Sequence, residues 1–222
     1  ATDALKVGFE PDSNHKVIEK TDQKRSIALK ALELIEEGDV IILDTGTTTL
    51  EMAKAMKGIN NVTVVVNDLE IARCLEECDG IHVILIGGTL RKHFHCTVGP
   101  FAVTLLSELN VDKVFLATNG VSIAKGCTTP DIAQAEVKKT MAGVSAQIIL
   151  LCDSSKLETT SFVQFAPLSQ IDLIITDNRI DQDVYDKFTG YGCEIVVADE
   201  SDDVRAAGND DGSMDEKVRE RK

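Results

Sequence analysis

Seven short apolar runs punctuate the chain, and most are continuous rather than alternating: Val40–Leu43, Val62–Val66, His82–Ile86, Lys113–Ala117, Ile148–Leu151, Leu173–Thr176 and Glu194–Val197. A strand that is apolar throughout has no face to give to water, so it belongs in a sheet covered on both sides, as parallel strands are. Segments with helical spacing lie between the runs. Asp22–Glu37 sets Ile27, Ala31, Leu34 and Ile35 on one face, with Gly38-Asp39 as the expected stop. Thr48–Met56, Asp68–Glu77, Pro100–Glu108, Ile132–Ala142 and the weaker Asp181–Thr189 complete the set. Alternation of this kind predicts an α/β fold, a mostly parallel sheet with helices on both faces. Ligands in such sheets bind beyond the carboxyl ends of the strands, so function is sought in the loops there.

The formal charge of −14 over 222 residues limits the partners. Binding to nucleic acid rests first on neutralising phosphates, and a chain this acidic repels the duplex on average. A small anion is still admissible, because helix N-termini and local cations create positive sites on a negative protein. No apolar run approaches the roughly 20 residues that span a bilayer. The N-terminus lacks the pattern of a secretory signal, so a cytoplasmic protein without membrane contact is expected. The six cysteines are dispersed and form no C-x-x-C pair, which fits reduced thiols.

Four strand-end loops can carry chemistry. In Asp44-Thr45-Gly46-Thr47-Thr48-Thr49, Gly46 lets a ligand approach the backbone. The hydroxyls of Thr47, Thr48 and Thr49, with the free N–H groups of the helix that follows, suit an anion; the plainer alternative is a Thr helix cap. Gly87-Gly88-Thr89-Leu90-Arg91 offers a close approach at Gly88 and a guanidinium fork at Arg91, or a simple glycine turn beside a solvated Arg. Asn119-Gly120 can hydrogen-bond sugar hydroxyls or form an ordinary turn. Asp153-Ser154-Ser155-Lys156 supplies a point charge at Lys156, or a capped turn with an exposed Lys. His93-Phe94-His95-Cys96 has the letters of a metal site without zinc-motif spacing, so neither metal nor cofactor is expected. Glu136, Lys138 and Lys139 read as the solvated face of a helix.

The order of these motifs resembles the C-terminal sensor domain of the DeoR family of sugar-metabolism repressors. The residues that carry it are Asp22–Arg25, Gly38-Asp39-Val40, Asp44-x-Gly-Thr-Thr-Thr, Gly87-Gly88-Thr89-Leu90-Arg91, Val98-Gly99-Pro100, Gly126-x-Thr-Thr, Val137-Lys138-Lys139, Asp153-Ser154-Ser155-Lys156 and Ile174-Ile175-Thr176-Asp177. The resemblance implies the α/β fold shared with ribose-5-phosphate isomerase and CoA transferases. It implies a phosphorylated sugar or related metabolite as effector, and a helix-turn-helix DNA-binding domain preceding this one. It also implies a ligand set of Asp44, Gly46, Thr47, Thr48, Thr49, Gly88, Arg91, Asn119, Gly120 and Lys156. Three positions depart from the family: Asn119, where Gly is common; Gln134, near a usual acidic residue; and His93–Cys96, in place of a Ser-containing stretch.

The expected organisation is an irregular segment over 1–21, with no helix-turn-helix domain in it, a sensor domain over 22–199, and a charged, disordered tail over 200–222. The expected function is an effector-binding domain of a repressor, not an enzyme, with phosphate on Thr47–Thr49, Arg91 and Lys156 and hydroxyls on Asp44 and Asn119. A homodimer or homotetramer is expected to bind DNA only through the domain missing here. The alternative is a sugar-phosphate isomerase or deaminase; the isomerases' Asp-Gly-Ala-Asp loop has no counterpart in Ala117-Thr118-Asn119-Gly120-Val121. A third reading makes the acidic tail the docking arm of an interaction protein. The first predicts that Thr48→Ala and Arg91→Ala each weaken phosphosugar binding in a calorimetric titration while the fold survives.

Overall fold

The seven apolar runs pair side by side. In the computed structural model, which describes residues 20–199, they form one seven-stranded sheet in which every pairing is parallel. The elements in chain order are α1 (Thr21–Leu32), β1 (Val40–Leu43), α2 (Thr47–Ala55), β2 (Val62–Val66), α3 (Leu69–Glu76), β3 (Ile81–Leu85), β4 (Thr89–Arg91), β5 (Cys96–Val98), α4 (Pro100–Ser107), β6 (Val111–Ala117), β7 (Gly120–Ser122), β8 (Gly126–Thr129), α5 (Ile132–Gly143), β9 (Ser145–Leu151), β10 (Val163–Ala166), β11 (Leu173–Asp177), α6 (Gln182–Tyr191) and β12 (Ile195–Ala198). The readings of 1–21 and 200–222 fall outside the described residues, save Lys20 and Thr21, where α1 begins.

The order across the sheet is β12-β11-β9-β6-β1-β2-β3. The chain runs outward from β1 to one edge, returns to β6 beside β1, and runs outward to the other edge. It therefore reverses direction between β1 and β6, and at such a switch point the loops diverge and leave a crevice. Both faces are covered. Ile41, Leu43, Val64, Phe115 and Ile149 pack under α1, α2 and α3, while Ile42, Val65, Val114, Leu116 and Leu150 pack under α4, α5 and α6. Double coverage is why the strands carry almost no polar alternation.

Two small antiparallel sheets, β4-β5 and β10-β8-β7, were not predicted. Their strands have only three or four residues, and each is interrupted by a polar residue or Gly, so none forms an apolar run. Helix α1 is shorter than its pattern suggested. After Leu32 the backbone tightens into three-residue turns, with Leu34 N–H donating to Ala31 and Ile35 N–H to Leu32, and Gly38 follows at φ 92°. Leu34 and Ile35 still pack against the core, so the apolar pattern outlasts the helix. No helix among the described residues is long and apolar enough to cross a membrane.

All six cysteines are free, and Cys78, Cys96, Cys127 and Cys152 are buried. Burial pushes the Cys96 thiol up to about 11 and the Cys127 thiol up to about 12, so neither forms thiolate at neutral pH. In a native-state titration with a thiol reagent, the half-buried Cys74 and Cys193 should react first. The other four should follow only on unfolding.

Candidate functional site

At the end of β1 the sequence changes from aliphatic to Asp44-Thr45-Gly46, and this change builds the site. Leu43 lies opposite Phe115 of β6, so Asp44 sits beside the end of that strand. Its N–H donates to the Phe115 carbonyl, and its Oδ2 accepts the Ala117 N–H at 2.9 Å. The Lys138 ammonium, reaching down from α5, donates to the same Oδ2 and to the Ala117 carbonyl at 3.0 Å. Asp44 is 0% and Lys138 1% exposed. Burial pushes the Asp44 carboxyl up, opposed by the Lys138 charge and hydrogen bond and by the Ala117 N–H. This buried pair clamps β1, β6 and α5 together at the switch point.

A second tie fixes the loop after β1. Asp68 caps α3, its Oδ1 accepting the N–H groups of Glu70 and Ile71, while its Oδ2 accepts the Thr45 hydroxyl at 2.5 Å. Burial pushes the Asp68 carboxyl up against those hydrogen bonds. Gly46 then passes so close to β6 that a Cβ on it would lie 2.8 Å from the Ala117 Cβ. The glycine is required by contact with the protein's own chain. Helix α2 starts at Thr47 with no side-chain cap, unlike α3, α5 and α6, which are capped by Asp68, Asp131 and Asp181.

That uncapped helix end opens into a cavity of about 590 Å³ over the ends of β1, β6 and β9. Thr45–Thr48 form one wall. Lys20 and Lys24 of the α1 end, Lys138 and Gln134 of α5, and Cys152, Asp153 and Lys156 after β9 form another. Asn119 lies at the end of β6, its Oδ1 accepting the Thr129 hydroxyl, which also contacts Gln134 Oε1 at 3.2 Å. Phe94, His95 and the α3 face close the far side. Six Lys and Arg side chains and four carboxylates line the space. The cavity is thus a net positive place on a strongly negative chain, suited to an anion carrying several hydroxyls.

Lys20 joins α1 to the turn after β9. Its ammonium donates to Asp153 Oδ1 at 2.6 Å. Burial alone would push the Asp153 carboxyl up, but hydrogen bonds from Lys20 and Ser155 and the charge of Lys156 hold it below its ordinary value.

Of the residues singled out in the sequence, Gly46, Thr47, Thr48, Asn119 and Lys156 line the cavity; Asp44, Thr49, Gly88, Arg91 and Gly120 do not. Asp44 is fully buried behind Lys138, its Oδ2 taken by the Lys138 ammonium and the Ala117 N–H, while its Oδ1 has no hydrogen-bond partner among the described residues. Thr49 is fully buried, its hydroxyl donating to the Gly46 carbonyl at 2.9 Å. Arg91 turns to α5, its Nε 3.5 Å from Asp131 and its guanidinium 3.6 Å over the Phe94 ring. A Cβ on Gly88 would lie 2.7 Å from the Val98 carbonyl oxygen, and one on Gly120 2.8 Å from that of Thr159. At both, the protein's own backbone comes close.

The sequence reading missed Lys138, Lys24 and Gln134. Glu136 and Lys139 are exposed as expected, but Lys138 is not. The signal was present: Lys138 lies three residues after Ala135 and three before Met141, both buried, and so falls on the inner face of α5. Lys24 is 6% exposed on the packed side of α1, beside Ile27 and Ala28.

Fold and cavity together define a ligand-binding α/β domain with a preformed site at its switch point. Comparison with known proteins gives the family. The family model of the DeoR C-terminal sensor domain matches residues 19–178, and the chain belongs to that family. It is 38% identical over 196 residues to the HTH-type transcriptional regulator GlpR of Haloferax volcanii, covering 88% of this chain and 76% of the relative. It is 35% identical over 182 residues to the HTH-type transcriptional repressor GlcR of Bacillus subtilis, covering 82% and 70%. Among solved structures, ribose 5-phosphate isomerase A of Methanocaldococcus jannaschii superposes with a TM-score of 0.47 at 18% identity, covering 63% of this chain and 55% of that one. The domain thus belongs to a class of sensor domains found in transcriptional regulators.

Removing one partner of a buried ion pair leaves the other charge uncompensated, at a cost of about 3–5 kcal/mol. Lys138→Met should destabilise the chain by that order in urea unfolding, and adding Asp44→Asn should recover a measurable part. A carboxyl held low stabilises the fold above its ordinary range, and that stability is lost as pH falls through the lowered value. Below about pH 4, the unfolding midpoint of Lys20→Met should therefore fall less steeply with acid than that of the parent chain.

Proposed function

We propose that the cavity binds a phosphorylated sugar or a closely related sugar-phosphate metabolite, and that this effector alters DNA binding by the full-length regulator. The observation that carries the reading is the meeting of the uncapped N-terminus of α2 with the amines of Lys24, Lys138 and Lys156 in one cavity. Phosphate sits at the Thr47–Thr48 turn, where backbone N–H groups and the helix dipole favour a negative group. Lys24 and Lys156 add point charges. Asn119 and Gln134, already linked through Thr129, present amide groups to hydroxyls.

Within this reading the protein is cytoplasmic and works as a homodimer or homotetramer. It reaches DNA through a helix-turn-helix domain of the kind the relatives' names record. To move such an assembly from 1:99 to 99:1 between two states, the effector must favour one by about 5.5 kcal/mol. The difference acts on subunit arrangement, since the charge of this domain opposes direct contact with DNA.

Thermal unfolding with a panel of phosphorylated sugars and their unphosphorylated parents tests the proposal. A ligand that binds only the folded state stabilises it by about 2.7 kcal/mol at a hundredfold excess over its dissociation constant. The expected result is a rise in melting temperature with a phosphosugar and none with its parent. Charge-assisted hydrogen bonds contribute about 1.5–3 kcal/mol, so Lys24→Met should weaken binding roughly ten- to a hundredfold. Thr48→Ala should weaken it less, and Arg91→Ala should leave it unchanged. Loss of binding in Arg91→Ala with none in Lys24→Met would place the phosphate at the hairpin instead.

A further inference from the structure

Gln134 is 5% exposed, on the inner face of α5, and its side chain lines the cavity. Its Oε1 accepts the Thr129 hydroxyl at 3.2 Å, and the same hydroxyl contacts Asn119 Oδ1 at 3.2 Å. A primary amide carries its acceptor on one side and its donors on the other. With the oxygen turned to Thr129, the Nε2 group points away from it and has no hydrogen-bond partner among the described residues. Nε2 is not one of the atoms sealed from solvent without a partner, so it opens into the cavity. An unpaired donor on a nearly buried side chain is costly, and a ligand oxygen placed there removes the cost.

Lys138 follows four residues later, one turn along the same face of α5. Its ammonium donates to Asp44 Oδ2 and to the Ala117 carbonyl, with the Phe165 ring centre 5.4 Å away. One of its N–H groups is thus left without an oxygen acceptor among the described residues. Two neighbouring side chains in the cavity wall have donors to spare, and the acceptors beside them are taken. Gln134 Oε1 and Asn119 Oδ1 face Thr129, and the Ala117 carbonyl already accepts from Lys138. Asp44 Oδ1 is unpartnered, but Asp44 is fully buried and outside the cavity lining.

This imbalance selects one kind of oxygen. A sugar hydroxyl set against Gln134 Nε2 and Lys138 accepts from them, but its own proton finds no acceptor. A carbonyl oxygen has two lone pairs and no proton, so it satisfies both donors and leaves nothing unpaired. Asp44 already balances the charge of Lys138, so an uncharged oxygen suffices and a carboxylate gains little. We infer that Gln134, with Lys138 beside it, makes the site selective for a phosphorylated sugar in its open-chain form, by taking the carbonyl oxygen. The inference rests on the phosphosugar reading. Within that reading, Gln134 takes the carbonyl and leaves the hydroxyls to Asn119.

Calorimetric titration of the whole chain with matched pairs provides the test. Each pair is a ketose phosphate and the polyol phosphate formed by reducing its carbonyl: dihydroxyacetone phosphate with glycerol 3-phosphate, ribulose 5-phosphate with ribitol 5-phosphate, and fructose 6-phosphate with glucitol 6-phosphate. In any pair that binds, the ketose phosphate should bind at least about tenfold more tightly, the penalty for one buried unpaired proton. Gln134→Glu keeps an oxygen for Thr129 and puts an acceptor of the same shape where the donor was, so it should reverse that preference. Gln134→Met, which removes the donor, should bring the ratio toward one. Far-UV circular dichroism and thermal unfolding without ligand confirm that both variants are folded. A purely structural role for Gln134 would weaken both members of a pair alike; an unchanged ratio in both variants therefore overturns the inference. Polyol phosphates that bind the parent chain as tightly as their ketoses overturn it too, and leave the phosphosugar reading standing. If no phosphorylated sugar or polyol binds at all, that reading falls and the inference with it.

Discussion

The contact between Asp44 and Lys138 governs this structure. An ammonium and a carboxylate removed from water each lose several kcal/mol of hydration, and only close mutual placement offsets that loss. The pair satisfies the condition by sharing the Ala117 peptide: Asp44 accepts its N–H and Lys138 donates to its carbonyl. Three elements that are distant in sequence are therefore held at one point, the place where the sheet reverses its winding. The loops that make the cavity start from this point, and their geometry follows from it.

The loops are also fixed before any ligand arrives. Thr45 is held by Asp68, Gly46 is pressed against Ala117, and Asn119 and Gln134 are linked through Thr129. Such a site loses little conformational freedom on binding. The cations are arranged in the same spirit. Lys20 is paired across the opening with Asp153, and Lys138, in the cavity wall, is paired with the buried Asp44, so positive potential reaches the cavity without an isolated charge in the interior.

How much of this was legible in the sequence depended on element length and on which way a residue faced. The seven core strands and six helices could be read because each is long enough to show a period or a run. The strands at Thr89–Arg91, Cys96–Val98, Gly120–Ser122, Gly126–Thr129 and Val163–Ala166 are short and broken by Thr, Ser, Gly, Gln or Arg, so none shows a continuous apolar run. The β1–α2 loop was legible as a turn between strand and helix, but not what its residues touch: Gly46 abuts Ala117, and the Thr49 hydroxyl donates to the Gly46 carbonyl. Arg91 and Gly88 lie off the cavity, since a sequence does not say whether a fork or a close approach is directed at a ligand or at the chain itself. Lys138 was overlooked because its type suggests solvent, although its spacing with Ala135 and Met141 points inward.

The cavity is built from residues far apart along the chain: Lys20 reaches Asp153 across 133 positions, and Asp44 reaches Lys138 across 94. On a ribosome, a nascent chain that has made β1, α2 and α3 already holds the threonine turn, but its Asp44 carboxylate has no counter-charge and its sheet no centre. The recognition surface comes into being only after β6, α5 and β9 have been synthesised and inserted beside β1. Synthesis therefore imposes an order on the cavity: its walls cannot all be present until β9 and the turn after it have left the ribosome.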